Sequence, residues 1–319
     1  MTTDFFCAAQ ARAAQEDPIG TASVHQIYVL SEFAPPWTED AFASRSVPAN
    51  WRAAVEEGRR ARLVAVRPLL IYNGALQQLG RTRVILLHLP KGPATGYDRR
   101  ECLLREAEDV APLVREYLSR PPGDCERTTA GPRDLLVCTH GSHDKCCARY
   151  GYPFFREAQA LVSELGLRNV RLWQTTHFGG HRFAPTLIDF PSGRYYGNLD
   201  RRALASILTR SGDIGDLKAV YRGWGILPGV AQVLERELLL LHGWNWLDNE
   251  VHCERIEGNP ERSRYCIELA YRRPNGGTGR YRAQLVADPE RTRQLRGSCN
   301  NPQAFTYTKY GVEQLERLL

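Results

Sequence analysis

The sequence lacks the segments that would place the protein in a membrane or outside the cell. Its most apolar run, the four leucines at 238–241, is far shorter than the roughly 20 apolar residues that a spanning helix needs. The first ten residues, MTTDFFCAAQ, carry an acidic residue where a signal peptide is positively charged, and they contain no continuous apolar core. We therefore expect a cytoplasmic protein without a membrane partner.

The sequence also lacks a block of charge of one sign. Its 42 lysines and arginines stand against 36 acidic residues, a formal net charge of +6, and the arginines are spread along the chain. Nucleic-acid binding is therefore not expected. A small positive charge would suit an acidic redox protein as electron donor or acceptor, because complementary fields speed the encounter of two proteins.

A Cys-x-x-Cys motif is missing as well, although the chain has nine cysteines. Thiol-disulfide oxidoreductases usually carry that motif at a helix N-terminus, so this class is only an alternative here. In a reducing cytosol, cysteines are more often buried thiols or metal ligands. Six of them are scattered singly along the chain, and we assign no chemistry to these: Cys7, Cys102, Cys125, Cys253, Cys266 and Cys299.

At 319 residues the chain exceeds what one hydrophobic core usually serves, and we predict three regions. Hydrophobic periodicity in the first region, residues 1–127, predicts the order β-α-β-β-α, at 24–30, 48–62, 62–67, 81–89 and 101–119. After the turn-rich segment 120–124, the second region, residues 128–222, repeats this order with a hairpin, at 134–139, 153–165, 169–175, 186–190, 194–197 and 200–208.

The third region, residues 223–319, is predicted to hold one helix and a small antiparallel sheet, at 227–241, 251–255, 264–272 and 280–287. In the second region, a single βα crossover is followed by a hairpin and a closing helix, which is the thioredoxin-like arrangement. The predicted fold class is therefore α/β (α+β), with tandem thioredoxin-like domains followed by a small α+β C-terminal region.

Two stretches combine residues that bind metals. The first, CTHGSHDKCC at residues 138–147, puts three thiols and two imidazoles directly after a predicted strand. The second, THFGGH at residues 176–181, follows another predicted strand, and its glycine pair favours a tight loop over a helix. In a thioredoxin-like arrangement both loops lie at the same end of the sheet. Two thiolates and two imidazoles could then close a site for zinc or for an iron–sulfur cluster, and the spacing alone leaves both open.

These motifs resemble the signature of the sucrase/ferredoxin-like family, a branch of the thioredoxin-like ferredoxins. The resemblance covers residues 134–208 and combines the cysteine spacing, the histidine loop and the hairpin that follows it. The matching residues are Cys138-x8-Cys147, His177-x-Gly-Gly-His181, Pro191-Ser192-Gly193 and Tyr196-Gly197.

The resemblance implies a [2Fe-2S] cluster with Cys138 and Cys147 on one iron and His177 and His181 on the other. It also implies an electron carrier rather than an enzyme with its own substrate, with one-electron transfer coupled to protons through the histidines. Neutral imidazoles in place of two thiolates raise the reduction potential, as in Rieske centres. The first predicted domain has no such ligands.

Several alternatives remain at the level of sequence. Cys146 directly precedes Cys147, and we expect it to be a buried thiol rather than the ligand. His140 and His143 are expected to face solvent or to hydrogen-bond to cluster sulfurs, and Asp144 to cap the following helix. Structural zinc would use the same four ligands. A glycosidase is not expected, because no pair of carboxylates stands out.

Overall fold

The computed structural model describes residues 5–63, 65–119 and 131–318. Within them the chain forms helices, a nine-stranded mixed sheet and a four-stranded antiparallel sheet, which confirms the predicted α+β class. The predicted turn at 120–124 and the predicted boundary at 127/128 lie outside the described residues.

The described residues contain six α-helices, none of which has both the length and the apolar composition needed to cross a bilayer. They are α1 (Cys7–Ala13), α2 (Ala49–Arg60), α3 (Val110–Ser119), α4 (Tyr152–Glu164), α5 (Arg201–Thr209) and α6 (Gly229–His242).

The large sheet contains nine strands: β1 (Ile27–Glu32), β2 (Val66–Tyr72), β3 (Thr82–His88), β4 (Asp98–Leu104), β5 (Arg133–Cys138), β6 (Val170–Thr175), β7 (Leu187–Phe190), β8 (Arg194–Tyr196) and β9 (Tyr221–Trp224). The small sheet contains four: β10 (Glu250–Gly258), β11 (Arg264–Arg272), β12 (Thr278–Arg296) and β13 (Ala304–Leu318).

The large sheet repeats one pattern of strand pairing. Its order is β4-β3-β1-β2-β6-β5-β7-β8-β9. In the first half β1 pairs parallel with β2 and antiparallel with β3, and in the second half β5 pairs parallel with β6 and antiparallel with β7. The halves join through antiparallel pairing of β2 with β6. The thioredoxin-like assignment of each half stays a prediction, as do the region boundaries. Strand β9, residues 221–224, spans the predicted boundary between residues 222 and 223.

The predicted helix at 101–119 was wrong in its first part. Residues 98–104 form β4, which pairs with β3 along its whole length, and the helix begins at Val110. The apolar residues of this segment occur at spacings that fit either structure, and the long-range partner strand decides between them. Strand β13 was not predicted, and β12 is much longer than the strand predicted at 280–287.

The core beneath the site is formed by both halves of the large sheet. Tyr28 of β1 packs edge-on against Phe190 of β7, with ring centroids 4.9 Å apart, and its hydroxyl contacts that of Tyr195 on β8. Cys138 and Cys147 belong to this same buried cluster. Two further apolar clusters pack against the sheet, one including residues of α2 and α3 and the other residues of α4, α5 and α6. The cysteines therefore lie where the inner core meets the end of β5.

Candidate metal centre

The two cysteines of the predicted site are held by the end of β5 and the turn that follows. Cys138 is the last residue of β5, and Cys147 begins a π-helical turn, Cys147–Gly151, that leads into α4. A Cβ atom on Gly151 would lie 2.0 Å from the carbonyl oxygen of Cys138, so only glycine lets the turn pack this closely. Both cysteines are 1% exposed.

The two histidines are presented by the loop after β6. Cys138 pairs with Thr175, the last residue of β6, so β5 and β6 end at the same edge of the sheet. Gly179 and Gly180 then adopt positive φ angles of 98° and 80°, which turn the chain back. The His177 and His181 rings stack with centroids 4.9 Å apart.

The structure brings three of the four predicted residues into one group. The Nδ1 atom of His177 lies 3.9 Å from the Sγ of Cys138 and 3.8 Å from the Sγ of Cys147. All ligand atoms of this group are within 4.8 Å of one another. His181 belongs to a second group, formed with His177 and His143, in which the same limit holds. The four predicted residues thus occupy two adjacent groups that share His177.

Only one of the two ring nitrogens of His181 is hydrogen-bonded. Its Nε2 donates a hydrogen bond to the carbonyl oxygen of Gly297, while its Nδ1 is buried without a hydrogen-bond partner. The Oδ2 atom of Asp144 lies 3.7 Å from this Nδ1. A buried nitrogen without a partner carries a free-energy cost that ligation of a metal would remove.

Burial sets the protonation of these groups. It lowers the pKa of His177 to about 2, with help from the neighbouring His181 and His143, and it also lowers the pKa of His181. Both rings are therefore neutral near pH 7, which is the form that binds metals. The pKa of Cys147 is raised by its hydrogen bond with Cys138 and by burial, so metal binding at this thiol releases a proton.

His140 has a different environment from the one expected, whereas His143 is half-buried and partly accessible. His140 is 3% exposed, and its hydrogen bonds go to backbone groups rather than to sulfur: Nδ1 accepts from the N–H of His177 at 3.3 Å, and Nε2 donates to the carbonyl of Thr38 at 2.7 Å. Both its nitrogens are engaged, so it positions His177. His143 stacks on His177 with centroids 4.1 Å apart. This stacking could not be predicted, because contact between rings on two separate loops leaves no local pattern in the sequence.

The histidine side of the site opens into a cavity of about 1020 Å³. His140, His143 and His177 are among its lining residues, together with residues of α2, α3 and β2 such as Trp51, Val114 and Arg67. Arg67 also donates a hydrogen bond to the carbonyl oxygen of His177 at 2.7 Å. His177 therefore borders a space that an approaching molecule can reach, whereas His181, Cys138 and Cys147 are not among the residues that line it.

Comparison with known proteins identifies the family of this chain. The profile of the sucrase/ferredoxin-like family matches residues 18–223, about two thirds of the chain. The chain belongs to the sucrase/ferredoxin-like family. It is also 25% identical over 230 residues to "Altered inheritance of mitochondria protein 32" of Meyerozyma guilliermondii, covering 62% of this chain and 77% of that protein. No solved structure is significantly similar to the chain. The resemblance suggested by the cysteine and histidine motifs is thus confirmed at the level of the family.

Proposed function

We propose that the protein is a cytoplasmic electron carrier whose Cys138, Cys147, His177 and His181 hold a [2Fe-2S] cluster. The observation that carries the proposal is the pairing of two buried thiols with two neutral imidazoles in adjacent groups that share His177. Such a cluster supplies one-electron transfer when bound. Family membership supports this chemistry.

The spread of the ligand atoms favours a two-metal cluster over a single zinc ion. At metal–ligand distances of about 2.0–2.3 Å, the four atoms around one tetrahedral ion lie about 3.3–3.8 Å apart. Cys138, Cys147 and His177 come close to this spacing, but His181 joins only the histidine group. A donor set that extends over two neighbouring centres suits two metals better than one.

The surrounding residues hold the ligands and control access to them. His140 and Arg67 hydrogen-bond to the backbone N–H and carbonyl of His177 and so fix its position. The buried thiols are shielded from solvent, whereas His177 borders the cavity, so electrons and protons would pass through the imidazole side. The net charge of +6 suits an acidic redox protein as the partner.

We expect anaerobically purified protein to contain about two irons and two labile sulfides per chain, with reddish-brown visible absorbance. Reduction by one electron should produce a paramagnetic resonance signal, because the reduced pair of irons has an unpaired spin. Iron, zinc and sulfide analysis together with these spectra tests the proposal. Protein without labile sulfide, in which Cys138→Ser removes zinc instead of iron, would establish a zinc site at these ligands.

We expect His177→Cys and His181→Cys each to retain a cluster with a lower reduction potential. A thiolate adds a negative charge where a neutral imidazole stood, which should lower the potential by roughly 100 mV or more. The change should also make the potential depend less on pH, because a ligand with an ionisable N–H has been removed. Potentiometric titration at several pH values measures both effects. Unchanged potentials in both variants would contradict ligation by imidazole.

A further inference from the structure

Three cysteines from distant parts of the chain meet beside the candidate metal centre. Cys7 begins α1, Cys146 directly precedes the π-helical turn, and Cys299 lies in the loop between β12 and β13. Their sulfurs form a triangle with sides of 3.5 Å (Cys7–Cys146), 3.3 Å (Cys146–Cys299) and 3.6 Å (Cys7–Cys299). Two of these residues were among the scattered cysteines to which sequence analysis assigned no chemistry. The structure brings them together with Cys146, which their positions in the sequence did not indicate.

The size of the triangle fits shared coordination of one metal ion. Two zinc–sulfur bonds of about 2.3 Å at a tetrahedral angle separate their sulfurs by about 3.8 Å. The observed sides are slightly shorter than this, so small side-chain movements would place an ion between the three sulfurs. A disulfide would join only two of the three thiols and leave the third without a function.

Asp144 offers a carboxylate beside the three sulfurs. One of its carboxylate oxygens accepts hydrogen bonds from the N–H of Cys299 at 2.9 Å and the hydroxyl of Ser298 at 3.1 Å, and the other accepts from the N–H of Cys146 at 2.9 Å. The residue is fully buried, and its ligand oxygen lies within 4.8 Å of the three sulfurs. These bonds fix the carboxylate and leave lone pairs for a metal.

Backbone and apolar groups complete the surroundings of the triangle. The N–H of Cys7 donates to the sulfur of Cys299 at 3.3 Å, and the N–H of Ala8 donates to the sulfur of Cys146 at 3.5 Å. Bonds of this kind favour the charged thiolate. Phe6 and Tyr150 pack around the cysteines. A site with four protein ligands and an apolar surround has the closed character of structural zinc sites.

We propose that Cys7, Cys146, Cys299 and Asp144 bind one zinc ion in a structural site separate from the cluster ligands. Soft thiolate ligands in tetrahedral geometry select zinc over the harder divalent ions. Binding replaces the three thiol protons by one Zn²⁺, and the protons go to solvent. The ion ties α1, the cysteine loop and the β12–β13 loop together. Asp144 lies 3.7 Å from His181, so an ion bound to Asp144 would also hold this side of the candidate metal centre in place.

The test is elemental analysis of the full-length protein after loading with Zn²⁺ and removal of unbound metal. We expect about one zinc per chain in the unmodified protein and in Cys138→Ser, and none in Cys299→Ser. Cys299→His should keep the ion, because imidazole can replace a thiolate as ligand, and Cys266→Ser on β11 is the matched control. Cobalt in place of zinc should give the intense near-ultraviolet bands of thiolate ligation in every variant that binds zinc.

The outcome separates this site from the proposed electron carrier. Cys299→Ser should still contain iron and labile sulfide, whereas Cys138→Ser should lose them and keep zinc. Zinc retained in Cys299→Ser, or no zinc in the unmodified protein, would overturn the site. So would mass spectrometry that finds Cys146 joined to Cys7 or Cys299 by a disulfide in protein kept under reducing conditions.

Discussion

Cys138→Ser is expected to abolish cluster binding, with loss of nearly all iron, labile sulfide and visible absorbance. Cys138 is 1% exposed at the end of β5, and its sulfur lies 3.9 Å from the Nδ1 of His177, so no other thiol can take its place without moving the strand. Serine oxygen is a harder ligand than cysteine sulfur, and a hydroxyl group loses its proton less readily than a thiol. Iron analysis and the visible spectrum of anaerobically purified protein measure the loss.

Cys102→Ser provides the control for this substitution, because Cys102 lies on β4 and belongs to neither group of candidate ligands. It should keep the full iron content. Cys146→Ser is the sharper comparison: it alters the residue next to Cys147, yet its visible spectrum should stay nearly intact. If Cys146→Ser lost the iron and Cys138→Ser kept it, the assignment of the cysteine ligands would be wrong.

The meeting of Cys138 and His177 could be predicted from the sequence because it depends on one topological rule. Parallel neighbours β5 and β6 end at the same edge, so the loops after them must be close, and the paired residues Cys138 and Thr175 show this. The strand signals were clear enough to place both loops. The glycines of the histidine loop then indicated a tight turn, which the structure has.

The cysteine triangle could not be predicted in the same way. Cys7 and Cys299 are 292 residues apart, and each stands alone in its own segment. They meet because α1 and the loop after β12 both pack beside the cysteine loop, and long-range packing of this kind has no periodic signature. Asp144 caps the following helix as expected, because one carboxylate oxygen accepts from the N–H of Cys146 at 2.9 Å. Its second bond, to the N–H of Cys299, could not be predicted for the same reason as the triangle.

The error at β4 has a related cause. Residues 98–104 carry four charged side chains, which would suit an exposed helix. In the structure Arg99 and Glu101 instead join a buried ionic network with Asp134 on β5 and Arg171 on β6. Charged side chains of a strand can be buried when they form ion pairs with residues distant in the sequence. Sequence periodicity cannot show such pairs and therefore predicts that these side chains are exposed.

Asp134→Ala should destabilise the whole fold by about 3–5 kcal/mol, the range for breaking a buried ion pair. The Asp134 carboxylate is fully buried and accepts hydrogen bonds from Arg99 at 3.0 Å, Arg171 at 2.7 Å and the indole N–H of Trp173 at 2.8 Å. Its removal leaves two buried guanidinium groups with Glu101 as their remaining carboxylate. Because Arg99 lies on β4 and Arg171 on β6, the loss loosens both halves of the sheet.

The matched control is Asp216→Ala, which removes a carboxylate from an exposed pair. Asp216 and Arg202 have side chains 43% and 81% exposed, so their attraction is screened by water and contributes at most about 1 kcal/mol. Urea unfolding followed by circular dichroism compares the two variants, and the slope of the transition shows whether the unfolded surface has changed. Equal, small shifts in both variants would mean that the arginines find other partners without Asp134. A large shift in Asp134→Ala alone identifies the buried carboxylate as the link that holds β4 against β5 and β6.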